Sequence, residues 1–241
     1  MRTSLSFRGV LHPEDNSTAV PFVENLRPVL VRCSGKGELG VLTAGDGQGG
    51  SAHAVRFPTH DPSATSPRAA IKIVGASGGT DELNPGTGKF SFGADVWLDS
   101  GSTSSSEPGS KDNGDNVIQR GLYDGVSQYK LQVDNRRPMC RIKGDAGAVE
   151  VTSELIDPEV WYRLLCTRDG DVVTLEVTTW DESNQPTTVT TSATGSTGDM
   201  TPGTDTVPLS VGGKLLDSGS VAGSADQLNG RIDNPHLSIE P

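Results

Sequence analysis

The sequence predicts an all-β protein, a sandwich of two antiparallel sheets, and three observations lead to that prediction. The 241 residues include 30 Gly and 15 Pro, which weaken helix interiors and favour turns. About a dozen short segments alternate apolar and polar residues, the pattern of strands that bury one face. No segment approaches the roughly 20 consecutive apolar residues of a membrane-spanning helix, so we expect no membrane insertion.

Residues 89–99 form the clearest predicted strand. Successive side chains of a strand point to opposite faces, so Phe90 and Phe92 share a buried face, whereas Asp95 and Trp97 lie on a polar one. Two later segments, 127–134 and 139–143, continue the pattern. Their polar faces carry Lys130, Gln132, Arg141 and Lys143.

Turn residues indicate how further strands connect. Residues 160–181 predict a hairpin, and its Asp169-Gly170 step suits a type I′ turn, which requires positive φ angles. Two segments, 100–114 and 193–206, lack apolar anchors and are expected to be exposed loops. Additional strands are predicted at 5–11, 28–33, 39–43, 53–57, 69–75, 115–121, 148–155, 187–193, 208–212 and 228–239.

Charge and the first residues restrict the function class. The balance of 31 Asp and Glu against 20 Lys and Arg gives a formal charge of −11, which disfavours nucleic acid as a partner. Residues 1–11 lack the continuous apolar core of a signal peptide. The protein is therefore either exported with a signal that this sequence does not contain, or is not exported by that route.

Four segments, in this order, resemble a laminin-G-like domain of the concanavalin A-like lectin and glucanase jelly-roll superfamily. They are residues 49–57, residues 90–97, residues 161–170 with 173–177, and residues 209–212 with 228–235. Strands 129–132 and 140–144 also resemble versions in secreted actinobacterial proteins. The resemblance implies a jelly-roll domain at 36–241, with residues 1–35 as an N-terminal extension packed on it.

The resemblance also implies a structural calcium ion. In this superfamily such an ion ties the closing strand to the early part of the chain, which here indicates Asp233 as a ligand, with Asp46 and carbonyls of residues 45–50 as further candidates. The alternative is that Asp233 caps a β-bulge before Pro235.

Three cysteines are too few for a disulfide framework and lack CxxC spacing, so one bridge and one remaining thiol is the simplest arrangement. Cys140 and Cys166 lie in predicted strands with family-like context, which indicates them as the pair and leaves Cys33 unpaired. The alternative is two buried free thiols. A bridge would imply an extracellular protein.

A basic set of side chains stands out on this acidic chain. We expect a ligand-binding concave face formed by Trp97, Lys130, Gln132, Arg141, Lys143 and Arg163, with Arg120 nearby. The leading hypothesis is a secreted, non-catalytic module that binds a polysaccharide or cell-surface glycan, or acts in adhesion. The sequence does not indicate an oligomeric state.

The second hypothesis is a lyase that cleaves an acidic, uronic-acid polysaccharide in a basic groove. Such a reaction needs cations to neutralise the carboxylate and a side chain to move a proton. Candidate bases are His53, His60, Tyr123 and Tyr162, whereas alternation turns Tyr129 inward. Whether the protein is an enzyme stays open at this stage.

Overall fold

A computed structural model describes ten parts of the chain: residues 3–6, 26–32, 44–45, 48–50, 54–59, 69–75, 80–102, 114–201, 207–220 and 226–240. Within these parts, short 3₁₀ turns at Gln48–Gly50, Asp81–Leu83 and Ser100–Ser102 are the only helical elements. No helix there is long and apolar enough to cross a membrane.

Fifteen strands form in the described residues because short, β-rich segments are interrupted by glycine and polar turns. In chain order they are β1 (Thr3–Ser6), β2 (Leu26–Arg32), β3 (Ala44–Gly45), β4 (Ala54–Arg56), β5 (Ala69–Gly75), β6 (Phe90–Leu98), β7 (Asp115–Arg120), β8 (Gln128–Asp134), β9 (Arg137–Gly144), β10 (Gly147–Thr152), β11 (Tyr162–Asp169), β12 (Val172–Trp180), β13 (Pro186–Thr194), β14 (Leu209–Val211) and β15 (Gly230–Ile239).

The strands make two antiparallel sheets. The eight-stranded sheet has the order β13-β12-β11-β6-β15-β4-β3, with β1 paired to β15. The seven-stranded sheet has the order β10-β9-β8-β7-β14-β5-β2. The closing strand β15 therefore lies beside the early strands β1 and β4, and the predicted jelly-roll sandwich is confirmed.

The core lies between the sheets and is built by the predicted alternation. Phe90 and Phe92 of β6 stack at 5.6 Å, and both rings contact Tyr129 of β8 on the facing sheet. All three side chains are buried. The Tyr129 hydroxyl donates to the Leu83 carbonyl oxygen at 3.1 Å, which satisfies its polar end inside the core.

A disulfide joins the two sheets through this core. Cys140 of β9 and Cys166 of β11 are bonded, with Cα atoms 6.1 Å apart, and both are buried. The predicted pairing is confirmed. Cys33 lies outside the described residues, so its unpaired state stays a prediction.

A buried arginine holds the end of the sandwich together. Arg168, at the end of β11, donates to the carbonyl oxygens of Gly86, Gly88 and Gly198 at 2.8, 2.5 and 3.3 Å, and to Thr197 Oγ1 at 3.2 Å. Desolvation lowers its pKa from the ordinary value. The segment 193–206 was expected to lack anchors, and this is wrong for its first part: β13 runs to Thr194, and Met200 is buried.

The φ angles distinguish the types of two hairpin turns, one of which was predicted incorrectly. The loop between β11 and β12 has a positive φ at Gly170 alone, so it has the φ signs of a type II′ turn, and the expected type I′ is wrong. The turn between β8 and β9 has positive φ at both Asn135 and Arg136, 48° and 64°, as type I′ requires.

The first 35 residues contribute strands to both sheets. Residues of β1 pair with β15, and residues of β2 pair with β5 in continuous register from Leu26 and Gly75 to Arg32 and Ala69. The division into an extension at 1–35 and a domain at 36–241 stays a prediction.

Candidate functional site

The structure divides the six residues of the expected concave face between two sheets. Lys130 and Gln132 lie on β8, and Arg141 and Lys143 on β9, all on the outer face of the seven-stranded sheet. Trp97 lies on β6 and Arg163 on β11, on the outer face of the eight-stranded sheet. The two groups are separated by the core, so the six side chains do not share one surface.

The outer face of the seven-stranded sheet is polar and yet largely buried. We use the name polar face for Asn116, Gln119, Gln128, Lys130, Gln132 and Arg141. Of these, Asn116 is 0% and Gln132 is 6% exposed. Polar side chains on an outer sheet face ordinarily contact solvent, so adjoining loops must enclose this face.

Loop residues that contact the polar face account for part of this burial. The Gly121 carbonyl oxygen accepts hydrogen bonds from Gln119 at 2.8 Å and from Gln128 at 3.3 Å. On the other side, the Asp226 carboxylate contacts the ammonium groups of Lys130 and Lys214 at 3.3 and 3.6 Å. The face is therefore bordered by a loop on one flank and by an acidic residue on the other.

The orientation of the Asn116 amide follows from its neighbours. A carbonyl oxygen can only accept, so the Gln119 side chain must turn its nitrogen toward the Gly121 oxygen. The Gln119 oxygen then accepts from Asn116 Nδ2 at 2.6 Å. This series of hydrogen bonds leaves Asn116 Oδ1 as an acceptor. That buried atom has no hydrogen-bond partner among the described residues.

Two more acceptors in the same area are also without partners in the described parts. Gln132 stands directly opposite Asn116 in the register of β7 and β8, and its Oε1 is buried and unpaired. Asp134, two residues along β8 on the same face, has an unpaired buried Oδ1. Buried polar atoms in native proteins are nearly always hydrogen-bonded, so these three acceptors need donors that the described residues do not supply.

The cations of this face are engaged by neighbouring protein groups. Lys130 pairs with Asp226, and burial lowers the pKa of its ammonium group. Arg141 Nε pairs with Glu150 at 2.8 Å, and its Nη1 donates to Gln128 Oε1. Lys143, on the same face of β9, donates to the carbonyl oxygens of Tyr123 and Gly125 at 3.1 and 2.6 Å.

Most of the candidate proton-transfer groups do not lie on the polar face. Tyr129 points into the core, as expected, and desolvation raises the pKa of its phenol. Tyr162 packs against the core, and its hydroxyl accepts from the Asp157 backbone N–H at 3.2 Å. Tyr123 is exposed, with the Arg141 guanidinium 4.3 Å from its ring centre. His53 and His60 lie outside the described residues.

Arg120 was expected on the polar face and lies on the opposite one. It pairs in register with the inward-facing Tyr129, and it is 3% exposed. The cause is a bulge in β7 between Asn116 and Ile118, which reverses the alternation from that point along the strand.

The expected calcium ligand Asp233 is buried and lies opposite Asp95 in the register of β15 and β6. Its Oδ1 accepts from the Asn234 backbone N–H at 2.8 Å. Both Asp95 oxygens are bonded to Arg163, at 2.7 and 2.9 Å, and this raises the pKa of the arginine. The acids of the described parts form no group of three or more that could hold a metal ion. Asp46 lies outside those parts, so calcium stays a prediction.

No protein-family model and no curated protein matches the chain. Among solved structures, it is similar to domain 4 of AbnA, a GH43 extracellular arabinanase from Geobacillus stearothermophilus, solved in complex with arabinotriose. The identity is 13%, the TM-score is 0.52, and the match covers 88% of this chain and 82% of that one. It is also similar to the binding domain of botulinum neurotoxin serotype G, at 9% identity and TM-score 0.51, covering 98% and 46% of the two chains.

Laminin structures match over shorter lengths. The LG1-3 region of the laminin alpha2 chain gives 12% identity, a TM-score of 0.39, and coverage of 63% of this chain and 26% of that chain. The chain thus spans between about a quarter and a third of the laminin chains it matches, which are 26% and 35% covered. The matches to the arabinanase domain and to the neurotoxin binding domain, together with the sheet order, confirm the predicted resemblance as a likeness of fold, that of a jelly-roll β-sandwich.

Proposed function

We propose that the protein is a non-catalytic, extracellular glycan-binding module that holds its ligand on the polar face. The observation that carries this proposal is the set of three buried acceptors, on Asn116, Gln132 and Asp134, that have no partner among the described residues. Each sugar hydroxyl brings a hydrogen-bond donor. A glycan can therefore satisfy these acceptors, which would otherwise be costly to bury.

The same atoms favour a neutral sugar over a uronic acid. A carboxylate has no donor to offer the acceptors, and it would lie close to Asp134 and Asp226. Burial raises the pKa of Asp134, which is consistent with a position that disfavours negative charge. The basic residues expected to neutralise a uronate are bonded to Asp226, Glu150 and backbone carbonyl oxygens.

Two further observations support the proposal. The domain of the arabinanase that shares this fold was solved with a bound arabino-oligosaccharide, so the scaffold is compatible with sugar binding. The disulfide between Cys140 and Cys166 is typical of proteins in an oxidising compartment outside the cytosol.

A glycan array, read with and without added calcium, tests the proposal and identifies a ligand. Gln132→Ala should then weaken binding of that ligand about tenfold, the effect of one lost hydrogen bond of about 1.4 kcal/mol. Gln185→Ala, in an exposed turn, is the matched control and should bind like the wild type.

Either of two results would contradict the proposal: no glycan bound under any condition, or Gln132→Ala binding as tightly as the wild type. The lyase hypothesis is tested with the same protein on alginate, pectin and glycosaminoglycans. A rise in the ultraviolet absorbance of unsaturated uronate would show that the protein is a lyase, and it would contradict the proposal of a non-catalytic module.

A further inference from the structure

All three tryptophans of the chain lie on one face of the eight-stranded sheet. The chain contains Trp97, Trp161 and Trp180 only, and each is half-buried. Trp97 is on the outer face of β6 because its neighbours Val96 and Leu98 are in the core. This face is separated from the polar face by the whole sandwich.

Strand pairing brings the three residues to neighbouring strands. Tyr162 of β11 pairs with Val96 of β6, so Trp161, the residue before β11, lies at the end of this ladder near Trp97. The hydrogen bond from Glu159 N to Leu98 O, 2.9 Å, shows that the chain still lies beside β6 there, with the pairing shifted by one residue. Tyr162 packs against the core, which turns Trp161 outward.

The same reasoning places the third tryptophan. Arg163 pairs with Thr178, and Trp180 lies two residues further along β12, on the same face as Thr178 and in the direction of Trp161. The Arg163 guanidinium lies 5.4 Å from the Trp180 ring centre, which puts that ring on the outer face. We call the line Trp180, Trp161 and Trp97 the tryptophan row.

Two arginines extend the tryptophan row across the next two strands. Trp97 pairs with Arg231, and Arg231 pairs with Arg56. Their guanidinium groups lie 4.6 and 5.9 Å from the Trp97 ring centre. The line thus crosses five adjacent strands, β12 to β4. At about 4.8 Å between neighbouring strands, its length is about 19 Å.

The charges along this line cancel. Arg56 pairs with Asp99 at 2.6 Å, and Arg163 pairs with Asp95 at 2.7 Å. With Arg231 and Asp233, the face carries three arginines and three aspartates beside the tryptophans. Arginines paired in this way give the surface little net charge to attract a polyanion, and their exposed N–H groups offer donors to hydroxyl groups.

We propose that the tryptophan row is a second binding surface, which takes an extended, uncharged polysaccharide chain. The C–H bonds on one side of a sugar ring carry partial positive charge and pack against the negative face of an aromatic ring. The half-buried rings can pack against successive units of an extended polymer, and the exposed guanidinium group of Arg163 beside them can donate to its hydroxyl groups. A globular protein partner would need a broader apolar patch.

Intrinsic fluorescence tests this proposal without a mutation, because every tryptophan of the chain belongs to the row. Hydroxyethyl cellulose, xylan and debranched arabinan serve as uncharged probes, and heparin as the charged comparison. We expect at least one neutral polymer to shift the emission and to retard the protein in an affinity gel. Heparin should do neither.

Variants assign the effect to the row. Trp161→Ala and Trp180→Ala should each weaken binding about five- to tenfold, a loss of about 1 to 1.4 kcal/mol. Trp161→Phe should keep most of the affinity, since it retains a ring. Gln132→Ala on the polar face should leave this binding unchanged, so that the failure of one face is distinguished from the failure of the other.

Three results would overturn the proposal: no neutral polymer shifts the emission, heparin alone binds, or the Trp→Ala variants bind like the wild type while keeping the wild-type circular dichroism spectrum. Ser192→Ala is the matched control on the same outer face, since Ser192 is exposed on the edge strand β13 and pairs with Thr174, six residues along β12 from Trp180. It should not change binding.

Discussion

The disulfide between Cys140 and Cys166 allows a quantitative prediction of stability. The two residues are 26 positions apart, and closing a loop of that length removes chain entropy from the unfolded state. The loop-entropy relation gives about 3.5 kcal/mol at 25 °C. The bond also connects the two sheets, so its loss removes a covalent link between the layers that enclose the core.

Protein that is reduced with dithiothreitol in denaturant and refolded under reducing conditions should therefore have a Tm lower by about 7–14 °C, since a domain of this size loses about 2–4 °C per kcal/mol. The double variant Cys140→Ala and Cys166→Ala should match or exceed that decrease, because both buried sulfurs leave cavities. Cys33→Ala is the control and should not change the effect of reduction. A decrease of less than about 2 °C on reduction would refute the loop-entropy argument.

Three other predictions concern buried or acidic groups. Arg168→Met should lower the free energy of unfolding in urea by about 3–5 kcal/mol, because three carbonyl oxygens lose their donor. A change below about 1 kcal/mol would contradict the role of Arg168 as that donor. The raised pKa of Tyr129 means that the unfolded chain loses this proton first, so stability should fall as pH rises above about 10, and Tyr129→Phe should flatten that fall; equal alkaline unfolding of both proteins would contradict it. If calcium binds at Asp233, added calcium should raise the Tm, and Asp233→Asn should abolish that rise. A wild-type Tm that does not change with calcium would contradict the calcium prediction.

The fold could be predicted because its signals are local. Alternation along β6 identifies Phe90 and Phe92 as core residues, and it does so without knowledge of any other strand. Glycine and polar turns end the strands near the predicted bounds. The type of the turn at Gly170 could not be predicted as securely, because a two-residue loop with glycine fits more than one turn type.

The candidate site could be predicted only in part, because it depends on how strands are assembled. Alternation placed Trp97 and Lys130 on polar faces correctly, but it cannot tell that these faces belong to different sheets. The bulge between Asn116 and Ile118 reverses the face of the following residues and has no clear signal in the sequence. The placement of Trp97 and Trp180 on the outer face of one sheet likewise depends on how the strands pair.

The two proposed surfaces lie on different sheets, and they differ in how far their side chains are enclosed. The polar face is enclosed by the loop at Gly121 and by Asp226, so its groups are fixed before a ligand arrives, and its buried acceptors favour a short, oriented segment of sugar. The tryptophan row lies on half-exposed side chains and favours length over orientation. Because the core separates them, occupation of one surface leaves the other free. A protein with both could therefore hold two glycan chains at once, and its attachment to a polymer network would gain from both contacts together.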